Sequence, residues 1–319
     1  MKVLVVSAML LAAPAAIAQG NYPNRPVTML VGFAPGGGTD ITARIIARHL
    51  GDGLGQQVVV ENRPGAGGNI ATELAARAAP DGYTLCLTSV GPLAVAPHML
   101  SKLPYNPRVD LAPIALAVSL PNVLVVHPSV TAISLAEFVK LAAAKPGTVT
   151  YGSSGVGGIG HLAGALLWLM AKVDLVHVPY KGGSPAMTDL LGGQVQAIFA
   201  TTATGLPQIR TGKIRALAVT GSRRSPILAD VPTVAESGYP GYEASNWYAY
   251  VAPAKTPREI VERLNREIVR ALGSAEVREQ LAPHGIEPTP STPEELARHI
   301  ERELEIWGRV VKQAGLKTE

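Results

Sequence analysis

Short apolar runs rich in valine, leucine and isoleucine alternate with longer helix-like runs through most of the chain, and this alternation constrains the fold more than any other feature. A strand that returns to its sheet through a helix lies parallel to its predecessor, so the pattern predicts an α/β fold with mainly parallel sheets flanked by helices. Residues 27–33, 57–61 and 83–88 read as strands, with helices over 40–50 and 69–79 between them. A second series has strands at 123–126, 149–151, 173–178, 195–199 and 214–220, separated by helices over 135–144, 161–171, 185–191 and 206–211. The two series predict two lobes of the same kind.

Ahead of the first strand stand Met1-Lys2, an apolar run over 3–13, Pro14, and Ala16-Ile17-Ala18 before Gln19. That is the pattern of a cleavable secretory signal over residues 1–18, and its apolar core is shorter than the roughly 20 residues a bilayer requires. No cysteine follows the expected cut, so no lipid attachment is expected there. Removing the signal leaves 301 residues, past the ~250–300 at which one core stops growing.

The C-terminal part departs from the alternation, with three helical runs and two capping-box patterns, Thr256-Pro-Arg-Glu259 and Thr292-Pro-Glu-Glu295. Ile260, Leu264, Ile268 and Leu272 recur every four residues and form a stripe that must pack on something. The tail is therefore expected to return to the first lobe. That assigns 19–121 with 246–319 to domain 1 and 122–245 to domain 2. The chain then crosses between lobes at Leu120-Pro-Asn122 and at Ala244-Ser-Asn246, and two crossings make a hinge. The Pro/Gly-rich stretch 222–243 reads as an ordered irregular loop.

Beyond the signal, 27 basic residues stand against 24 acidic ones, a net charge of +3 spread along the chain. Nucleic-acid binding needs a basic patch, and the densest cluster is only Arg223-Arg224. Cys86 is the one cysteine, which excludes an intramolecular disulfide, and its apolar surroundings make it a small buried hydrophobe.

Two glycine-rich loops carry the chemistry. Gly32-Phe-Ala-Pro-Gly-Gly-Gly-Thr-Asp40 follows a strand and opens a helix, where glycines allow close approach and helix-start amides face an anion. It lacks the Gly-Lys-Ser/Thr ending of a phosphate-binding loop. Asp40 already answers the helix dipole and would repel an anion unless a water or cation intervened. Gly152-Ser-Ser-Gly-Val-Gly-Gly-Ile-Gly-His161 contains G-x-G-x-x-G, yet Asp174 comes too early for the acidic partner of a dinucleotide site.

No Gly-x-Ser-x-Gly elbow and no His-Glu-x-x-His pair occur, so no catalytic residue, metal site or cofactor is assigned and the chain is not expected to be an enzyme. His161, opening a helix after the second loop, is the histidine best placed to donate to a ligand. Of 15 aromatic residues, Tyr239, Tyr242, Trp247, Tyr248 and Tyr250 cluster near the second crossing. Tyr239, Tyr242 and Tyr250 read as a packed hinge core, and Trp247 as a ligand contact. Phe33 and Phe199 end strands, where open α/β sheets bind ligands.

The chain resembles the Bug (Bordetella uptake gene) family, the TctC-like receptors of tripartite tricarboxylate transporters. The resemblance rests on Tyr22-Pro-Asn-Arg-Pro-Val, Phe33-Ala-Pro-Gly-Gly-Gly-Thr-Asp40, Val60-Glu-Asn-Arg-Pro-Gly-Ala-Gly-Gly-Asn69, Pro80-Asp-Gly-Tyr-Thr-Leu85, Leu103-Pro-Tyr-Asn-Pro107, His177-Val-Pro-Tyr-Lys-Gly182, Asp189-Leu-Leu-Gly-Gly-Gln-Val195 and Val231-Pro-Thr-Val-Ala-Glu-Ser-Gly238. It implies a two-lobed periplasmic binding protein of type II, a Venus flytrap, that holds a small carboxylate (a di- or tricarboxylate or an aromatic acid) by backbone amides and waters. By position the pocket would involve Phe33, Ala34, Pro35, Gly36, Gly37, Gly38, Thr39 and Asp40 from the first loop, Ser89, then Ser153, Ser154, Gly155 and Gly157 from the second loop, and Thr201. His161 and Trp247 join this set from the reading of the residues themselves.

At Thr201 the chain departs from the family, whose members often read Phe-Asp where this chain runs Ile198-Phe-Ala-Thr-Thr202. Without the acid an ammonium group loses its counter-charge, which favours a carboxylate without an amine. The implied partners are the membrane permease subunits of a tripartite tricarboxylate-type transporter and, as a second class, a sensor protein, with the chain acting as a monomer. The alternatives are a ligand-sensing receptor for signalling and a nucleotide-cofactor enzyme using G-x-G-x-x-G.

Overall fold

The computed structural model describes residues 22–313 and 315–316, and the expected secretory signal lies outside them. The chain opens β1 (Val27–Val31), α1 (Gly38–Leu54), β2 (Val58–Asn62), α2 (Asn69–Ala76), β3 (Thr84–Ser89), α3 (Ala96–Met99) and β4 (Leu111–Leu120). It continues β5 (Asn122–Val126), α4 (Leu135–Ala144), β6 (Thr150–Ser153), α5 (Ile159–Ala171), β7 (Val176–Pro179), α6 (Gly183–Leu191), β8 (Ala197–Thr201), α7 (Thr202–Arg210) and β9 (Arg215–Val219). It ends β10 (Asn246–Pro253), α8 (Arg258–Gly273), α9 (Ala275–Leu281), β11 (Glu287–Pro288) and α10 (Pro293–Gln313).

These strands form two sheets, a six-stranded one in the order β11-β4-β10-β3-β1-β2 and a five-stranded one in the order β7-β6-β8-β5-β9. Both are mixed rather than mainly parallel. β1 pairs parallel with β2 and β3, but β10 runs antiparallel to both β3 and β4. In the second sheet β6 is parallel to β7 and β8, whereas β5 is antiparallel to β8 and β9. The antiparallel strands β5 and β10 are those by which the chain enters each sheet from the other.

α1 buries Ile46 and Leu50 in one core with Val27, Met29 and Val31 of β1. Leu264, Ile268 and Leu272 of α8 are fully buried in the same core, each contributing roughly 1.5–3 kcal/mol. The tail thus packs on the first sheet. α10 adds Leu296, Ile300, Leu304, Trp307 and Val311, packed on the π-helical turn Gly91–Val95 that follows β3.

The two crossings are tied to each other by Thr220, which is fully buried. Its amide donates to Asn122 O (2.9 Å), its hydroxyl to Ala244 O (2.9 Å), and it accepts from Asn122 N (3.0 Å) and Ala244 N (2.9 Å). Between the crossings, the loop over 222–243 is ordered by the Arg224–Glu236 ion pair and by buried Tyr242, whose hydroxyl donates to Ala163 O (2.8 Å).

Of the two expected capping boxes, one forms. Thr292 and Glu295 exchange reciprocal bonds, the Thr292 amide to Glu295 Oε2 (2.8 Å) and the Glu295 amide to Thr292 Oγ1 (3.2 Å). α8 starts one residue later than its box requires, with Pro257 at the N-cap, and the buried Thr256 hydroxyl has no partner.

Candidate functional site

The carboxyl ends of β1, β3 and β8 and the starts of β5 and β10 converge on a cavity of about 40 Å³ between the two sheets. From the first lobe it takes Phe33, Gly37, Gly38, Thr39 and Ser89, and from the second Ser154, Ile159, Gly160, Gly183, Phe199 and Thr201. Asn122, Asn246 and Tyr248 line it from the crossing strands. No charged side chain is among these residues.

Its charge complementarity comes from helix ends. Four helices start at the cavity, α1, α5, α6 and α7, and none has a side-chain cap. The first amides of a helix have no intrahelical acceptor, and the positive end of the dipole adds to them. α4 and α9, away from the cavity, are capped by Ser134 and Ser274. Glycine at the N-cap of α1, α5 and α6 keeps side-chain oxygens away from those amides. Burial pushes the Tyr248 hydroxyl up to about 12, against a lowering hydrogen bond with Thr39, so it stays protonated at neutral pH. Uncapped amides and neutral hydroxyls together suit an anion.

Asp40 does not face this cavity. Its buried carboxylate accepts from Gly36 N (2.9 Å), from Arg44 Nε (3.0 and 3.1 Å) and from Asn62 Nδ2 (2.9 Å). Burial alone would raise its pKa, but the bonds from Arg44, Gly36 and Asn62 outweigh it and hold the group below the usual carboxylate range. Asn62 Nδ2 also reaches Phe33 O (3.0 Å). The expected conflict between Asp40 and an anion is thereby removed, because the carboxylate shapes the loop from behind.

The lobes touch directly around the cavity. Ala34 N donates to Lys181 O (3.1 Å), so this amide joins the lobes. A Cβ on Gly91 would lie 2.9 Å from Gly157 O, and one on Gly155 would lie 2.8 Å from Gly67 N. A Cβ on Gly38 would sit 2.7 Å from Tyr248 Oη and 3.3 Å from Thr201 Oγ1. Glycine at 91 and 155 allows backbone to meet backbone across the cleft, and at 38 it leaves room for the two hydroxyls.

Of the residues expected from sequence, Phe33, Gly37, Gly38, Thr39, Ser89, Ser154 and Thr201 line the cavity. Ala34, Pro35, Gly36, Ser153, Gly155 and Gly157 belong to the loops but do not line it. Ser153 Oγ accepts from Gly155 N (3.1 Å) and lies 2.7 Å from His177 Nε2. Trp247 points to the opposite face of β10, where its indole donates to Glu303 Oε2 (3.0 Å). The residues missed were Asn122, Ile159, Gly160, Gly183, Phe199, Asn246 and Tyr248. Asn122 and Asn246 had been placed at the crossings, and Phe199 at a strand end, which was the available signal.

His161 also lies behind the cavity. It stacks on His177 at 4.0 Å between ring centroids, and its Nδ1 accepts from Gly157 N (3.4 Å). Burial lowers His161 to about 4, and burial with the neighbouring His161 lowers His177 to about 3. Both rings are neutral when folded, whereas in the unfolded chain they protonate near their ordinary value of about 6.5. The unfolded state therefore binds more protons as the pH falls from about 6.5 toward 4, and stability falls with it. Melting temperature is expected to drop by several degrees over that range, and His177→Gln is expected to flatten the drop in a thermal scan.

Among the described residues no group of three or more His, Cys, Asp or Glu is placed to hold a metal ion, and no helix is long and apolar enough to cross a membrane.

Residues 42–316 match the family model described as tripartite tricarboxylate transporter family receptor, TctC. Protein BugT of Bordetella pertussis is 42% identical over 308 residues, 96% of this chain and 94% of that protein. The periplasmic binding protein BugD has a TM-score of 0.90 at 36% identity, covering 93% of this chain and 100% of its own. Rpa4515 of R. palustris with adipate has a TM-score of 0.89 at 38% identity (92% and 98% covered), and MatC of Rhodopseudomonas palustris with bound malate 0.88 at 35% (91% and 100%).

Proposed function

Because the chain belongs to the TctC family of solute-binding receptors, which are not enzymes, we propose that it captures a small carboxylate in the cavity between its lobes and delivers it to the permease of a tripartite tricarboxylate-type transporter. The observation that carries this reading is the convergence of four uncapped helix starts from both lobes on a cavity without charged side chains. Hydrogen bonds to a charged group are worth roughly 1.5–3 kcal/mol each, so three or four to a carboxylate reach the ~8 kcal/mol of a micromolar complex before other costs. Malate and adipate in the two R. palustris neighbours support a linear dicarboxylate.

In this reading residues 1–18 direct the chain to the periplasm, 19–121 with 246–319 form one domain and 122–245 the other. The ligand bridges the lobes only when they are closed, and so shifts the population toward the closed form that the permease recognises. The protein acts as a monomer. Calorimetry with short di- and tricarboxylates beside aspartate and glutamate tests the proposal. Micromolar binding of a dicarboxylate with heat too small to measure for the amino acids is expected, and the reverse order would overturn it.

A further inference from the structure

The polar groups lining the cavity differ in what they can offer a ligand. Helix-start amides only donate, which suits carboxylate oxygens. The hydroxyls of Thr39, Ser89, Ser154 and Thr201 rotate and can donate or accept. The carboxamides of Asn122 and Asn246 are different. Both residues line the cavity, they are 1% and 3% exposed, and neither side-chain oxygen has a hydrogen-bond donor.

A carboxamide oxygen only accepts, and buried acceptors are almost always paired. A carboxylate cannot pair with it, since an ionised carboxylate also only accepts. The backbones of both residues are committed to the crossings, Asn122 through Thr220 and Asn246 through its register with Leu120. The two carboxamides are therefore held at the points where the chain passes between lobes. An ammonium group would also donate, but it would be buried without a counter-charge, because no acidic side chain lines the cavity.

On the reading that the cavity holds a carboxylate, we infer that the Asn122 and Asn246 carboxamides bracket a hydroxyl of the ligand, one oxygen taking its single proton and the other carboxamide donating to its oxygen, so that the chain selects a short hydroxy-dicarboxylate over its deoxy analogue. The pair is a specificity determinant on the hinge strands themselves. A ligand hydroxyl seated there touches β5 and β10 together.

The test is calorimetry of the purified protein with both malate enantiomers and with succinate, repeated for Asn122→Leu and Asn246→Leu. One malate enantiomer is expected to bind the parent protein at least about tenfold more tightly than succinate, as one added hydrogen bond implies. In each leucine variant the malate-to-succinate ratio should fall toward one. Asn122→Ala and Asn246→Ala replace any leucine variant whose melting curve shows that it has not folded. Equal binding of malate and succinate by the parent protein would overturn the inference and leave the carboxylate reading standing. An undiminished ratio in the variants would overturn it too. Binding of neither acid, alongside tight binding of an uncharged solute, would overturn the carboxylate reading and the inference with it.

Discussion

Gly91→Val is expected to lower the affinity for the carboxylate ligand by roughly 100-fold while leaving the melting temperature of the ligand-free protein within a few degrees. Gly91 opens the π-helical turn after β3, two residues beyond Ser89, which lines the cavity. Its Cβ would lie 2.9 Å from Gly157 O and 3.3 Å from Gly158 Cα, both backbone atoms of the second lobe. Backbone cannot swing aside as a side chain can. Overpacking of this kind costs about 1–3 kcal/mol, and the upper end corresponds to roughly 100-fold.

The cost falls on the closed form alone, because separated lobes remove the contact. A ligand that binds the closed form must then overcome that bias, and apparent affinity drops by the same factor. Gly67 and Gly155 lie on the same seam, but both have positive φ (63° and 134°), so substitution there adds backbone strain to the clash. Gly91 has none of that strain. Gly273→Ala, with nothing within 4 Å of its Cβ, is the matched control. Wild-type affinity in Gly91→Val, measured by calorimetry, would refute closure as the binding step, and small-angle scattering should show the variant remaining extended at ligand concentrations that compact the parent protein.

Much of this seam was legible in the sequence, since a glycine loop between a strand and a helix admits few uses. Phe33, Gly37, Gly38, Thr39 and Ser154 line the cavity because local spacing alone fixes their place at a strand's carboxyl end. What the sequence hid depends on long-range pairing. β4 (Leu111-Ala-Pro-Ile-Ala-Leu-Ala-Val-Ser-Leu120) is alanine-rich and carries Pro113, so it shows no strand signature, yet it pairs with β10 and β11. β10 is buried along its whole length and so has no polar alternation to read.

That loss of alternation explains the error at Trp247. Successive strand residues face opposite sides, so if Asn246 and Tyr248 line the cavity, Trp247 must turn away, here to Glu303 and α10. The same limit applies to Asp40. Helix position predicted a carboxylate near the anion site, but its neutralisation needs Asn62 on β2, 22 residues away. His161 belongs with these cases, since its stacking partner His177 comes from a different strand.

Thr201→Asp is expected to reverse the ligand preference, lowering dicarboxylate affinity by 100-fold or more and letting an α-amino dicarboxylate compete. Thr201 ends β8, is the N-cap of α7, and has its hydroxyl 3.2 Å from Thr204 Oγ1 and no cap bond to the helix. Aspartate is a strong N-cap, so its carboxylate would accept from the α7 amides that now face the cavity. The ligand carboxylate loses those donors and gains a like charge beside it. Two unit charges about 4 Å apart repel by about 4 kcal/mol at an effective dielectric constant near 20, and half of that with one lost charged hydrogen bond already exceeds 100-fold. The folded protein, by contrast, gains a cap worth about 0.5–2 kcal/mol, so its melting temperature should hold or rise. A variant that is at least as stable as the parent but no longer binds the dicarboxylate separates loss of recognition from loss of fold. Unchanged dicarboxylate affinity in that variant, or tight binding of aspartate by the parent protein, would show that Thr201 does not decide the charge of the ligand.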